Sequence, residues 1–170
     1  MKLMPYGIIE PAANPGIADR ILDEYFQIVW ELGLKSCLSG GVCLGFVRDG
    51  GYLPGDNDLD VIANVDKGLC CILAQAMIRR GFEQRDDFPE TKDEAPHTHF
   101  IKDGILVDVV WWGGGGFFAE FRSVGYKGKS YPIPTRVDEY LTASYGDWRV
   151  KNPNHEGAKD PKLIGNGRLT

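Results

Sequence analysis

The stretch that decides the fold is residues 38–62, which read LSGGVCLGFVRDGGYLPGDNDLDVI. Gly40 and Gly41 end a short apolar run and open a predicted helical turn, whose free backbone N–H groups and positive end favour an anion such as phosphate. After a Gly/Pro-rich bend, Asp58 and Asp60 alternate with an apolar residue at strand period, so their side chains point to one face. Two carboxylates on a strand predict a divalent cation, and Mg²⁺ suits them because it takes one or two protein carboxylates beside a nucleotide's phosphates.

Two other interpretations of the acidic segment were weighed. Asp56, Asn57 and Asp58 are typical of a solvated loop tip, because turns favour residues that hydrogen-bond locally. An EF-hand loop is excluded by spacing, since its sixth position would be Val61 and its twelfth Lys67, where Gly and Glu are required.

Composition bounds the class of protein. A chain of 170 residues suits one domain with its own core, and a net charge of −5 with a pI near 5.2 argues against a general nucleic-acid-binding surface. No apolar run approaches a membrane span, and the N-terminus lacks a signal-peptide pattern, so we expect a soluble cytoplasmic protein. The cysteines show no metal-ligand spacing and lie in apolar contexts, which predicts buried reduced thiols at Cys37, Cys43, Cys70 and Cys71.

The periodicities predict a single domain over residues 16–150, between an irregular lead-in, 1–15, and a loose polar tail, 151–170. In its first half we expect a helix over 17–32, strands over 34–39 and 59–64, and a helix over 67–80 capped by Asp66. A short strand and a mobile loop are expected within 82–96, and a hairpin over 124–133. A final predicted helix starts at Pro134 and Thr135, is capped by Thr135 with Asp138, and stops at Gly146.

The clearest local signal is a two-residue Asp103–Gly104 turn between strands 97–102 and 105–111. Its register places His99 opposite Asp108, with His97 on the same face.

Asp108 interrupts an apolar run, and a carboxylate there is costly unless it meets a cation or hydrogen-bond donors. A satisfied pair with His99, without any chemistry, is one possibility. If this strand neighbours residues 59–64, however, Asp58, Asp60 and Asp108 converge, and a metal ion would offset their mutual repulsion.

Three separated blocks resemble the LicD/fukutin family of phosphotransferases, a branch of the nucleotidyltransferase superfamily. The first runs from GVCLGFVR at 41–48 to GYLPGDNDLD at 51–60. The second is VDV at 107–109, which is similar to the family's strand carrying a third carboxylate. The third comprises PIP at 132–134, YL at 140–141 and YGDW at 145–148, similar to the family's closing signature.

The resemblance implies an α+β, nucleotidyltransferase-like domain with a mixed β-sheet flanked by helices. It also implies a Mg²⁺-dependent transferase, with Mn²⁺ as a substitute, that moves a phosphoryl-linked group from a CDP-alcohol-like donor to a small-molecule or glycan hydroxyl. The wider superfamily transfers a nucleoside monophosphate from an NTP, and this remains open, as does a non-catalytic nucleotide- or metal-binding module.

Residue roles follow from the same resemblance. Asp58 and Asp60 would hold one Mg²⁺, a second ion would be shared with Asp108, and the pair would stabilise an in-line displacement. Asp108 is the candidate base, with His99 orienting it or taking that role. The phosphate-binding set is Ser39, Gly40, Gly41 and Arg48, although Arg48 is equally suited to a structural ion pair.

Overall fold

The computed structural model describes residues 7–86 and 96–151. These residues form four α-helices and seven strands. In chain order they are α1 (Pro15–Glu31), β1 (Lys35–Leu38), α2 (Gly40–Arg48), β2 (Asp58–Asn64), α3 (Lys67–Arg79), β3 (Glu83–Arg85), β4 (His97–Lys102), β5 (Ile105–Trp112), a short 3₁₀ helix (Gly116–Phe118), β6 (Phe121–Tyr126), β7 (Lys129–Pro134) and α4 (Val137–Tyr145).

A mixed five-stranded sheet in the order β1-β2-β5-β4-β3 forms the centre of the molecule. β2 and β5 run parallel, and the other neighbouring pairs are antiparallel. The predicted hairpin register is confirmed, because His99 pairs with Asp108 across β4 and β5 and His97 pairs with Val110. The parallel register then sets Asp60 beside Asp108, so the expected neighbourhood of the two acidic strands is also confirmed.

The two faces of the sheet differ in chemistry because side chains alternate along each strand. On β2 and β5, the residues that alternate with the acids are Leu59, Val61, Val107 and Val109, and all are fully buried. α1 contacts α3 and the strands β1 and β5, and it buries a stripe of apolar residues that includes Ile21. The acids therefore share one face, and the opposite face belongs to the apolar core.

A separate β6–β7 hairpin lies beside β1 and extends this core. Phe46 of α2 packs on Tyr126 of the hairpin with ring centroids 4.3 Å apart, and Tyr131 also contacts it at 5.7 Å. Aromatic contacts of this kind add to apolar burial. They join α2, which opens at the glycine pair, to a hairpin that follows it by some eighty residues. The architecture is thus the expected α+β domain with a mixed sheet and flanking helices.

The predicted start of the last helix is wrong. α4 begins at Val137, and within the described part of the chain no side chain caps it. The reason is that Thr135 still belongs to the hairpin, where its N–H donates to the Glu120 carbonyl at 2.9 Å. Asp138 instead accepts a hydrogen bond from Arg149 at 2.6 Å. The predicted stop is correct, since Gly146 has φ of 72°.

The prediction of four buried thiols is wrong for two of them. Cys37 and Cys43 are buried, whereas Cys70 is half-buried and Cys71 is exposed. Both belong to α3, which buries Leu73 and Met77 and turns Cys71 toward solvent. The apolar residues next to Cys70 and Cys71 in the sequence therefore did not predict burial of these two thiols.

Other expectations fall on residues that the structure does not describe. These are the mobile loop, over 87–95, the tail from 152 onward and the first six residues of the lead-in. The short strand before that loop is confirmed as β3, and the Asp66 side chain caps α3 by accepting from the N–H groups of Gly68 and Leu69. Among the helices of the described ranges, none combines the length and apolarity that crossing a bilayer requires.

Candidate active site

The glycine pair forms the first turn of α2, directly after β1. Ser39 is the extended residue before the helix, and Gly40 follows with φ of 47°, a left-handed conformation that favours glycine. The N–H of Gly40 donates to the hydroxyl of Tyr140 at 2.8 Å. The N–H of Gly41 donates to Oδ2 of Asp60, also at 2.8 Å. The helix terminus therefore faces the acidic strand, and in this structure these two N–H groups, expected to be free, have protein partners.

The two glycines allow carboxylates to lie against this turn. A Cβ added to Gly40 would lie 2.1 Å from Oδ2 of Asp60, and one added to Gly41 would lie 2.0 Å from Oδ2 of Asp56. Both distances are far inside van der Waals contact, so any larger residue would displace the carboxylates. The glycine pair and the acidic segment are thus fitted to each other.

Asp56 joins the cluster, although the predicted metal ligands on this segment were only Asp58 and Asp60. One carboxylate oxygen from each of Asp56, Asp58 and Asp60 lies within 4.8 Å of the others. The signal was present in the sequence, because the three acids recur at every second residue and thus continue the strand period by one step. Three residues of this segment, rather than the two predicted, therefore offer carboxylate oxygens to a metal ion.

Burial and mutual repulsion perturb these acids. The pKa of Asp58 is held well above its usual range, first by burial and then by the charges of Asp56 and Asp108. The pKa of Asp60 is also raised, by burial and by the charges of the other three acids, while the Gly41 N–H acts in the opposite direction. Acids whose charged form is disfavoured in this way gain most from a bound cation.

Asp108 lies in a second group with two histidines. Its carboxylate oxygens are 3.1 and 3.2 Å from Nδ1 of His97, and Oδ2 is 3.8 Å from Nε2 of His99. One ring nitrogen from each histidine and one carboxylate oxygen all lie within 4.8 Å. The sequence interpretation named His99 as the partner of Asp108, yet His97, one strand-period away on the same face, makes the closer contact.

The predicted metal set therefore divides into two neighbouring groups. Among the described residues, Asp58 and Asp60 gather with Asp56, and Asp108 gathers with the histidines. The two groups adjoin on one sheet face, since Asp60 pairs with Asp108 across the parallel strands. The charge of Asp108 also contributes to the raised pKa of both Asp58 and Asp60. The two predicted ions, one held by Asp58 and Asp60 and a second shared with Asp108, remain a prediction.

The other predicted phosphate ligands lie differently. Arg48 is at the opposite end of α2 from Gly40, about 12 Å away along a helix that rises 1.5 Å per residue. Its guanidinium pairs with the Asp49 carboxylate and donates to the Trp148 carbonyl at 3.3 Å. We interpret this as the structural ion pair that the sequence left open. Ser39 is buried beside the turn, and its backbone carbonyl accepts the first bond of α2 from Cys43.

The donor atoms test whether a metal ion suits the site. Asp56, Asp58 and Asp60 offer only carboxylate oxygens, which are the ligands that Mg²⁺ and Mn²⁺ prefer. The raised pKa values of Asp58 and Asp60 indicate that the protein alone does not compensate the charge of these two acids. The donor set and its electrostatics therefore fit a hard divalent cation.

Comparison with known proteins adds a limited finding. No protein-family model matches the chain, and no curated protein matches it. Among solved structures, the chain is similar to the crystal structure of ANT(2″)-Ia in complex with adenylyl-2″-tobramycin, with a TM-score of 0.49 and 14% identity over 68% of this chain and 68% of that chain. A TM-score just below 0.5 does not establish a common fold, so the family resemblance remains a hypothesis.

Proposed function

We propose that this protein is a Mg²⁺-dependent transferase that moves a phosphoryl-linked group from a nucleotide-activated donor to an acceptor hydroxyl. The observation that carries the proposal is the contact between a glycine-opened helix and a carboxylate cluster. Gly41 donates to Asp60 at 2.8 Å, and both glycines lack the Cβ that would displace the acids. A positive helix end beside a cation site is an arrangement suited to phosphate.

In the proposal, Asp56, Asp58 and Asp60 hold the ion. When bound, Mg²⁺ supplies positive charge for the phosphate oxygens, which carry the charge in phosphoryl transfer. The protein positions the donor by the end of α2, and its sheet holds the three acids on one face.

Asp108 is the proposed proton acceptor. The acceptor oxygen forms a bond to phosphorus while the bond from phosphorus to the leaving nucleotide breaks, and the hydroxyl proton passes to the Asp108 carboxylate. His97 is better placed than His99 to orient that carboxylate, since its Nδ1 lies 3.1 and 3.2 Å from the two oxygens, against 3.8 Å for His99. A base must be held within reach of the proton it removes.

The donor is proposed from the three sequence blocks rather than from the geometry. Their resemblance to the LicD/fukutin family favours a CDP-linked alcohol, from which CMP would leave as the phospho-alcohol is transferred. The alternative kept from the wider superfamily is transfer of a nucleoside monophosphate from an NTP, in which pyrophosphate leaves. The two reactions place different phosphorus atoms under attack, and their products distinguish them.

Calorimetric titration with CDP tests the proposal. We expect binding that requires Mg²⁺ and is lost in Asp58→Asn. The matched control is Asp147→Asn, which removes an exposed acid that belongs to neither group of candidate ligands and should bind as the wild type does. Equal, Mg²⁺-dependent binding by Asp58→Asn would count against the proposed function.

Product analysis then identifies the reaction. The protein is incubated with a CDP-linked alcohol or with labelled NTPs, in each case with a mixture of sugars and polyols. Release of CMP supports the first donor, and release of pyrophosphate supports the alternative. Nucleotide binding without either product would favour the non-catalytic module.

A further inference from the structure

We propose that His97, His99 and Asp108 form a binding site for a transition-metal ion of the Zn²⁺ class, distinct in ligand chemistry from the Asp56 group. The inference deepens the proposed function, because it assigns a separate set of ligands and a different class of metal to the second ion. It rests on that function only for the assignment of both ions to one active site. Binding itself is tested separately.

The distances between the ligand atoms match the edges of a metal coordination shell. Nδ1 of His97 is 3.1 Å from Oδ1 of Asp108, and Nε2 of His99 is 3.8 Å from Oδ2. With metal–ligand bonds of about 2.0–2.1 Å, two ligands of a tetrahedral ion lie about 3.3 Å apart. The two separations, which join the histidines to different oxygens of Asp108, lie on either side of this value, and one ligand atom from each of the three residues lies within 4.8 Å of the others.

The hydrogen bonds between His97 and Asp108 do not include His99. His97 is within hydrogen-bond distance of both Asp108 oxygens. His99 also turns a ring nitrogen toward the same carboxylate, but 3.8 Å is too long for a hydrogen bond. Two imidazoles facing one carboxylate from neighbouring positions are what a three-ligand metal site requires.

The sheet pre-organises these ligands. His97 and His99 alternate on β4 and therefore share a face, and β5 brings Asp108 directly opposite His99. The two imidazole rings lie 4.7 Å apart at an interplanar angle of 62°. All three side chains are 14–15% exposed, so they are shielded but open to an ion from solvent. Rigid strands hold ligands more firmly than loops do.

The ligand types indicate the class of ion. Imidazole nitrogens suit zinc, copper, iron and nickel, whereas all-carboxylate sets suit magnesium and calcium. Two histidines and one carboxylate are also three protein ligands, which leaves a position open for water or substrate. Asp108 has two oxygens, so one can bind an ion while the other still accepts a hydrogen bond from the acceptor hydroxyl. With the ion bound, Nδ1 of His97 is a ligand, and the shared ion takes over from the hydrogen bond in orienting the Asp108 carboxylate. The face would thus hold a hard cation at the Asp56 group and a softer one beside it.

Titration of the full-length, chelator-treated protein with Co²⁺ tests the site, because bound Co²⁺ reports nitrogen ligation in its visible spectrum. With excess Mg²⁺ present to occupy the Asp56 group, we expect one Co²⁺ ion per chain, which Zn²⁺ displaces and Mg²⁺ does not. His97→Gln and His99→Gln should each weaken Co²⁺ binding by about 100-fold or more, since even outer-sphere changes cost 10–100-fold. If one of them fails to fold by circular dichroism, the other carries the test.

Two controls assign the ion. The double variant Cys70→Ser, Cys71→Ser removes the two consecutive, solvent-accessible thiols of α3, which could otherwise bind Co²⁺ themselves. It should leave the Co²⁺ affinity unchanged. Asp58→Asn should also keep Co²⁺ binding while it loses Mg²⁺-dependent CDP binding. Retained Co²⁺ binding in a protein that binds no nucleotide would therefore support the metal site and refute only the proposed function.

Any of the following results would overturn the inference. They are the absence of stoichiometric Co²⁺ binding by the folded wild type, unchanged affinity in the folded histidine variants, loss of binding in the cysteine variant, and displacement by Mg²⁺ or loss in Asp58→Asn. The last would assign the ion to the carboxylate group instead.

Discussion

Asp58→Asn is expected to make the metal-free protein more stable, by about 1–3 kcal/mol at pH 7. Asp58 offers an oxygen within 4.8 Å of oxygens on both Asp56 and Asp60. Two unit charges at that distance repel by about 3–4 kcal/mol at an effective dielectric constant near 20. The raised pKa of Asp58 means that protonation already relieves part of this repulsion, which is why the expected gain is smaller than the full Coulomb energy.

The sign of the pH dependence follows from the direction of the shift. Because the pKa of Asp58 is raised on folding, its ionisation opposes the folded state. Metal-free wild type should therefore lose stability as the pH rises from the ordinary value of 3.8 toward the raised pKa. Asp58→Asn removes one such group, so its advantage should be present near neutral pH and disappear below about pH 4.

Mg²⁺ should reverse the order of the two proteins. An ion that binds only the folded state stabilises that state by about 4.1 kcal/mol at about 1,000 times its dissociation constant, which exceeds the expected advantage of the variant. Wild type gains this term and the variant does not, so the wild type should become the more stable protein at saturating Mg²⁺. Urea unfolding followed by circular dichroism, with EDTA or with Mg²⁺, at pH 4 and pH 7, measures all four comparisons.

Destabilisation of the metal-free protein by Asp58→Asn at pH 7, or an equal effect at both pH values, would contradict the proposed repulsion among these acids. Asp147→Asn is the matched control, since Asp147 is exposed. It should change the free energy of unfolding by less than about 0.5 kcal/mol under every condition.

Three further predictions concern the turn and the thiols. Gly40→Ala should lower the free energy of unfolding by about 3 kcal/mol, and the control Gly50→Ala by about 1 kcal/mol. Both glycines have positive φ, but only a side chain at Gly40 would also displace Asp60. Equal losses of stability in urea titrations would contradict this. Tyr140→Phe should cost about 1–3 kcal/mol by removing the acceptor of the Gly40 N–H, and an unchanged urea midpoint would refute it. Ellman's reagent should modify Cys71 rapidly and the two buried cysteines only on unfolding, and a mass spectrum showing the reverse order would contradict the assigned burial.

The parts of the fold that could be predicted are those set by local chemistry. The Asp103–Gly104 turn requires positive φ at both residues, and the structure has 51° and 80° there. A two-residue turn fixes the pairing of its strands, so the position of Asp108 opposite His99 followed directly. The Lys127–Gly128 turn between β6 and β7 behaves in the same way, with φ of 48° and 76°.

The parts that could not be predicted depend on tertiary contacts. The start of α4 moved because Thr135 bonds to Glu120 in the hairpin, and sequence spacing carries no trace of that contact. The membership of Asp56 in the cluster depends on the space left by Gly41, and the preference of Asp108 for His97 depends on side-chain direction within a correctly predicted register. The turn predicted the register of the strands, but the sequence did not predict which neighbouring side chain Asp108 contacts.

The bond between Gly40 and Tyr140 joins residues one hundred positions apart. The sheet and its acids are complete by Trp112, whereas the hydroxyl that secures the glycine turn arrives only with the last helix. During synthesis, the acidic strands therefore leave the ribosome well before the group that locks the turn beside them. A product ending before α4 would carry every carboxylate of the site yet leave the start of α2 without that anchor. The proposed site would therefore be completed only when α4 is in place.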